Sequence, residues 1–103
     1  MIKVKTKSAI SIKDRGIGLI RHTIPEPMMF STRFGIHTFG MKFPIDVLIL
    51  DSNGIVVKLK KSLKPGRFFF WPPKFNKVLE LPQGFISQNR IKLGSKIALK
   101  MIK

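Results

Sequence analysis

Two histidines and five carboxylates are all this chain offers for acid–base or metal chemistry. His37 stands in the run Ile36-His37-Thr38-Phe39, and an imidazole can act as a base or a ligand near neutral pH. A metal site needs further His or carboxylate ligands. His22 and Asp46 could join His37, although nothing in their spacing requires them to meet. The other reading of His37 is a structural imidazole hydrogen-bonded to backbone. Asp46 follows Pro44-Ile45 at the start of an apolar run. If buried it needs a partner, which Lys42 or a backbone N–H could supply; otherwise it could recognise a ligand. Asp51 precedes Ser52-Asn53-Gly54 and suits a turn. Glu80 alternates with Leu79 and Leu81, which predicts a side chain facing solvent or paired with Lys. Asp14 and Glu26 lie in poorly patterned segments. No Gly-rich phosphate loop or Ser–His–Asp order emerges. The chain has no Cys, which excludes a disulfide framework, an iron–sulfur cluster, a zinc ribbon and a Cys nucleophile. The expectation is a protein that is not an enzyme, with no catalytic set, no cofactor and no metal.

Cations are the chemistry in excess. Lys plus Arg number 20 against 5 Asp plus Glu, a net charge of +15 over 103 residues. Self-repulsion on that scale destabilises a compact chain unless a polyanion neutralises it. The lysines also follow a pattern. Lys3 and Lys5 oppose Ile2 and Val4; Lys58 and Lys60 oppose Val57 and Leu59; Lys96 and Lys100 oppose Ile97, Leu99 and Met101. Side chains alternate across a strand, so each set falls on the face away from the core. In a shared sheet these rows merge into one basic surface. Alternatively they only solvate strand edges and oppose aggregation.

The run Phe68-Phe69-Phe70-Trp71, flanked by Arg67 and Lys74, is the second unusual feature. Consecutive aromatics cannot all enter one core from a strand, so one or two are expected at the surface or over a barrel mouth. The run is either a hydrophobic lid or a recognition loop. Aromatics beside cations suit base stacking with phosphate pairing. They also suit a crevice on another protein, or an anionic membrane surface.

The elements that must position these residues read mainly as strands. Ile2 to Lys7 alternates with period two. Ile17 to Arg21 is a weaker strand, and Pro25 and Pro27 exclude regular structure between it and Met28. Ile36 to Met41 is a short strand. Ile45 to Asp51, the turn Ser52-Asn53-Gly54 and the return Ile55 to Lys61 form a hairpin. Pro65 to Pro73 reads as a loop, Lys77 to Leu81 as a strand, Phe85 to Arg90 as one or two helical turns, and Lys96 to Ile102 as a last strand. The expected fold is a single domain over residues 1–103, mainly β (a β-rich α+β class), a small curved sheet or half-open barrel with one or two short helices. No apolar stretch approaches the ~20 residues of a membrane span, and the first residues carry no signal-peptide pattern. A cytoplasmic location without integral membrane association is expected.

The stretch Ile36-His37-Thr38-Phe39-Gly40-Met41-Lys42-Phe43-Pro44-Ile45-Asp46-Val47-Leu48-Ile49-Leu50-Asp51 resembles domain-of-unknown-function family 192. The similarity continues through Asn53 to Val57, Leu63-Lys64-Pro65, Val78 to Gly84 and Ile91 to Gly94, and spans roughly residues 15 to 100. The resemblance implies a compact β-rich fold with one or two short helices and implies no reaction. The chain departs from the family in three ways. The segment Asp14 to Arg33 is short, Gly94-Ser95 stands where the family commonly reads Gly-Asp, and the chain is unusually basic.

Together these features predict an RNA-binding structural protein, ribosome-associated, monomeric when free and bordered by neighbouring ribosomal proteins. It would hold rRNA through Lys/Arg–phosphate contacts. The expected contact residues are Lys3, Lys5, Lys58, Lys60, Lys61, Lys64, Arg67, Trp71, Lys74, Lys77, Lys96 and Lys100. Two alternatives stand beside it: a small-molecule-binding or enzymatic member with a pocket near His37, Phe39, Met41 and Asp46, and a peripheral membrane protein using Phe68 to Trp71.

Overall fold

The computed structural model describes residues 1–8 and 27–101. The strand expected over Ile17 to Arg21, together with His22, Asp14 and Glu26, lies outside the described residues. The elements are β1 (Ile2–Ser8), β2 (Met28–Ser31), β3 (Gly35–His37), β4 (Ile45–Leu50), β5 (Val56–Leu63), β6 (Phe68–Phe70), β7 (Lys77–Pro82), the single-turn helix α1 (Phe85–Gln88) and β8 (Ile97–Met101). Six strands form a curved sheet in the order β5-β4-β7-β2-β1-β8, and β3 and β6 form a separate two-stranded ribbon. The mainly β expectation is met. The sheet is open, but its two edges touch at one corner, where Ile55 and Lys96 form an isolated antiparallel bridge.

Every residue of β4 is buried, because apolar layers cover both faces of the sheet. Ile45, Val47, Ile49 and Val78 pack with Ile36, Met41, Phe69 and Trp71 from the ribbon side. Leu48, Leu50, Leu79 and Leu81 pack on the opposite face with Val4, Val56, Ile86, Ile91 and Ile97. Alternation therefore sends successive side chains into two cores. The same geometry corrects the solvent-facing reading of Glu80, which is buried. It lies in register between Met28 and Val47 on a central strand with no solvent face. The segment Pro65 to Pro73 also differs from its reading as a loop, since Phe68–Phe70 pairs with Gly35–His37. The strand expected from Ile36 to Met41 ends at His37, where the chain turns.

Asp46 joins β4, β5 and α1. Ile45 pairs with Leu63 and Val47 with Lys60, so the single residue Asp46 faces the two residues Lys61 and Ser62. This bulge leaves the Ser62 N–H out of the ladder, with Ser62 at φ 53°. Asp46 Oδ1 accepts from that N–H at 2.9 Å. Its other oxygen, Oδ2, accepts from the Ile86 N–H in the first turn of α1, also at 2.9 Å. The helix has no side-chain cap of its own, so this carboxylate satisfies a donor the helix start leaves over. Backbone N–H groups, rather than Lys42, are thus the partners of this buried acid.

At the β4–β5 turn, Asp51 Oδ1 accepts from the N–H groups of Asn53 and Ile55. Gly54 has φ 80°, and a Cβ there would meet the Ile97 carbonyl oxygen at 2.7 Å. Only glycine lets this turn close against β8.

Replacing Asp46 by Ala removes both acceptors and is expected to lower unfolding stability by about 2–4 kcal/mol, with Asp46→Asn costing about half of that. Urea denaturation checks this; an Ala variant within about 0.5 kcal/mol of the wild type would contradict the role.

Candidate nucleic-acid interface

The β3–β6 ribbon carries two unlike faces. Phe69 and Trp71 turn inward with Ile36, and the Trp71 indole N–H donates to the Phe75 carbonyl at 2.8 Å. Trp71 is therefore a core residue, and the expectation that it contacts nucleic acid is corrected: strand alternation from Phe69 points it away from solvent. Phe68 and Phe70 point outward and are 59% and 51% exposed. Phe34 and Phe39 flank them at 58% and 46%.

Lys58 fixes the ribbon to the sheet. Its Nζ donates to the Phe70 carbonyl and lies 5.0 Å from the centre of the Phe69 ring, a cation–π distance. Part of this lysine's expected phosphate-binding capacity is thus spent inside the protein. Thr38 fixes the turn that leads into β6. Its Oγ1 donates to the Lys64 carbonyl at 2.6 Å and accepts from the Arg67 N–H at 2.9 Å. The Thr38 N–H donates to the Arg67 carbonyl, and the Gly66 N–H donates to the Thr38 carbonyl. Thr38 is buried, so this turn and its cations are held against β3. Lys60, Lys64 and Arg67 line a depression of about 330 Å³ with Ser62, Leu63 and Phe68.

The remaining expected contacts fall into separate groups. Lys61 lines a neighbouring depression with Lys58 and Lys92. Lys5 and Lys100 are register partners on β1 and β8, and Lys3 lies beside Ala98. Lys74 and Lys77 border a third depression with Asp51 and Asn76. The Lys96 ammonium donates to the Asn53 carbonyl. From the Ile55–Lys96 bridge, β5 and β8 run in opposite directions. They are the two edge strands of the sheet, so the Lys58–Lys64 row and the Lys3, Lys5 and Lys100 row lie at opposite ends of the strand order. Arg33, Phe34, Phe39 and Phe70 were not among the expected contacts. The alternation within Phe68 to Trp71 already required outward rings, but strand β6 itself was hidden by the prolines and glycine around it.

His37 and Asp46 do not share a pocket. Asp46 is committed to Ser62 and Ile86 on the α1 side of the sheet. His37 is exposed on the ribbon, which covers the other side, and its Nδ1 accepts from the Phe39 N–H at 3.3 Å. Met41 is buried beneath the ribbon. Among the described residues no three His, Asp or Glu side chains gather as metal ligands, and no helix is long and apolar enough to cross a membrane.

The family model of domain-of-unknown-function family 192, described as "Uncharacterized ACR", matches residues 2–99. The chain belongs to this family. No curated protein matches it. A crystal structure of a protein of unknown function from Novosphingobium aromaticivorans superposes with a TM-score of 0.76 at 19% identity, covering 88% of this chain and 71% of that one. A Sinorhizobium meliloti protein described as a "putative transcription regulator" superposes with a TM-score of 0.76 at 20% identity, covering 88% and 78%. At these identities the likeness establishes the shared fold.

Replacing Thr38 by Val keeps the branched shape and removes the hydroxyl's hydrogen bonds to Lys64 and Arg67. A stability loss of about 1–3 kcal/mol is expected, with faster hydrogen exchange at the Arg67 amide. An unchanged Arg67 exchange rate would contradict the clamp.

Proposed function

We propose that this member of family 192 is an RNA-binding protein that grips phosphates through Lys and Arg, with folded ribosomal RNA as its polyanion. The observation that carries this reading is the distribution of charge. Among the described residues the carboxylates are withdrawn from the surface: Asp46 and Glu80 are buried, and Asp51 is half-buried with its Oδ1 engaged by two N–H groups. Lysine and arginine occupy the exposed positions of β1, β5, β8 and the turns between them. A surface built for solubility alone mixes both signs. A surface of one sign concentrates a polyanion and speeds its encounter.

The division into two cationic groups gives the proposal a defined geometry. Lys60, Lys64 and Arg67 form the group held by the Thr38 clamp, and Lys3, Lys5 and Lys100 form the group on the far edge of the sheet. An RNA that engages both must follow the curve of the sheet, which suits a folded RNA better than a short straight helix. A cytoplasmic, ribosome-bound site of action fits this reading.

Each phosphate neutralised contributes about 0.7 to the slope of log K against log salt for single strands and about 0.9 for duplexes. Replacing Lys60, Lys64 and Arg67 together by Gln is expected to reduce a single-strand slope by about 2. Fluorescence anisotropy across a salt series measures it. A wild-type protein with no salt-dependent RNA affinity would overturn the proposal.

A further inference from the structure

The outward aromatics of the ribbon form one continuous row. Phe34 meets Phe70 edge-on with ring centres 5.7 Å apart. Phe70 and Phe68 are near-parallel, 9° between planes and 5.8 Å between centres. Phe68 meets Phe39 at 5.0 Å, and Phe39 meets His37 at 5.3 Å. The core does not need these rings, because Phe69, Trp71 and Ile36 fill it from the opposite face. Four adjacent phenylalanines at roughly half exposure make a contiguous apolar patch of the kind that marks an interaction site.

The backbone is arranged to keep the row outside. Gly35 is the register partner of Phe70. A Cβ at Gly35 would lie 2.5 Å from Phe70 Cδ1 and 3.0 Å from the Phe69 carbonyl oxygen, so the Phe70 ring lies across the strand in space only glycine leaves. Phe34 has φ 83°, a conformation that is costly for a bulky residue. Its carbonyl accepts from the Trp71 N–H at 2.8 Å, which anchors it while its ring stays at the surface.

We infer that this row is a stacking platform for unpaired RNA bases, an inference that rests on the RNA-binding reading above and specifies which RNA is taken. Two observations select this occupant. The first is charge: Lys60, Lys64 and Arg67 share a depression with Phe68, and a Cβ placed on Gly66 in their turn would lie 3.9 Å from the Phe39 ring. The second is arrangement: the Phe68 and Phe70 rings lie parallel, 5.8 Å apart, on the exposed side of one strand. Bases stacked on successive aromatics, with the phosphates running along adjacent cations, is how proteins hold single strands without reading sequence. In a duplex the bases are stacked on one another and unavailable to such rings, so the row discriminates single-stranded from double-stranded RNA.

The test measures the affinity of a 12-nucleotide single strand and of a duplex of the same sequence, by anisotropy at fixed salt. It compares the wild type, Phe68→Leu/Phe70→Leu, Phe68→Ala/Phe70→Ala and Lys60→Gln/Lys64→Gln/Arg67→Gln. Emission from the buried Trp71 reports folding of each variant. The leucine pair keeps an apolar surface and removes two π faces. Both phenylalanine variants are expected to lose about 30-fold or more in single-strand affinity, the order expected for two base–aromatic stacks, with duplex affinity and salt slope unchanged. The cation variant is expected to weaken both RNAs. Single-strand affinity unchanged in a folded Phe68→Leu/Phe70→Leu protein, with the cation variant still impaired, would overturn the platform and leave the RNA reading standing. Loss of binding to phosphatidylserine vesicles in the alanine pair alone, with RNA affinity intact, would reassign the row to a membrane surface. Absence of RNA binding by the wild type would overturn both.

Discussion

A single buried carboxylate holds together the parts of this domain that face solvent. Asp46 enters the α1-side core from β4, where an unpartnered charge would be costly. It is accommodated because one oxygen satisfies the bulged Ser62 N–H and the other the Ile86 N–H at the start of α1. The bulge absorbs one extra residue, so Leu63 returns to the core in register with Ile45. The chain then leaves β5 into the turn that Thr38 clamps. The position of Lys64 and Arg67, and the entry of the chain into β6, follow from that register. A one-residue slip in β5 would reverse the outward and inward sides of everything after it.

The sequence revealed this fold where one physical rule acted alone. Ile2 to Lys7 alternates cleanly, and Asp51 to Gly54 has the residues a tight turn needs, so β1 and the β4–β5 hairpin were legible. The rest was set by tertiary context. Glu80 reads as a surface residue by alternation, but β7 lies between two layers and alternation there chooses between cores. Phe68 to Phe70 was masked by Pro65, Gly66, Pro72 and Pro73, which mark loops in isolation. Its pairing comes from Gly35 to His37, more than thirty residues earlier. Trp71 sat beside exposed neighbours in sequence and is separated from them only by the side of the ribbon it occupies. The lysine rows were legible one strand at a time. Their placement at opposite ends of the sheet depends on the strand order, which no local pattern encodes.

Charge and aromatics do complementary work in the proposed interface. With Asp46 and Glu80 buried, two of the carboxylates among the described residues are withdrawn from the surface, and the mutual repulsion of the surface cations is relieved most fully by an external polyanion. That attraction is non-directional and falls with salt. The exposed ring row adds a short-range contact that depends on base geometry rather than on charge. In the proposed interface, phosphates would supply the affinity and the state of the bases would decide which RNA is retained. The two devices meet at the Thr38 clamp, where the cationic turn and the first outward ring of β6 are consecutive residues.

The most direct measurement is to photo-crosslink the wild-type protein to a single-stranded RNA containing 4-thiouridine and locate the adducts by mass spectrometry. Adducts concentrated on Phe34, Phe39, Phe68 and Phe70, with none on the buried Phe69 or Trp71, are the expected result. Adducts confined to the Lys3, Lys5 and Lys100 edge, or no adduct under conditions where a known single-strand binder is labelled, would contradict the assignment of the ribbon as the RNA-contacting surface.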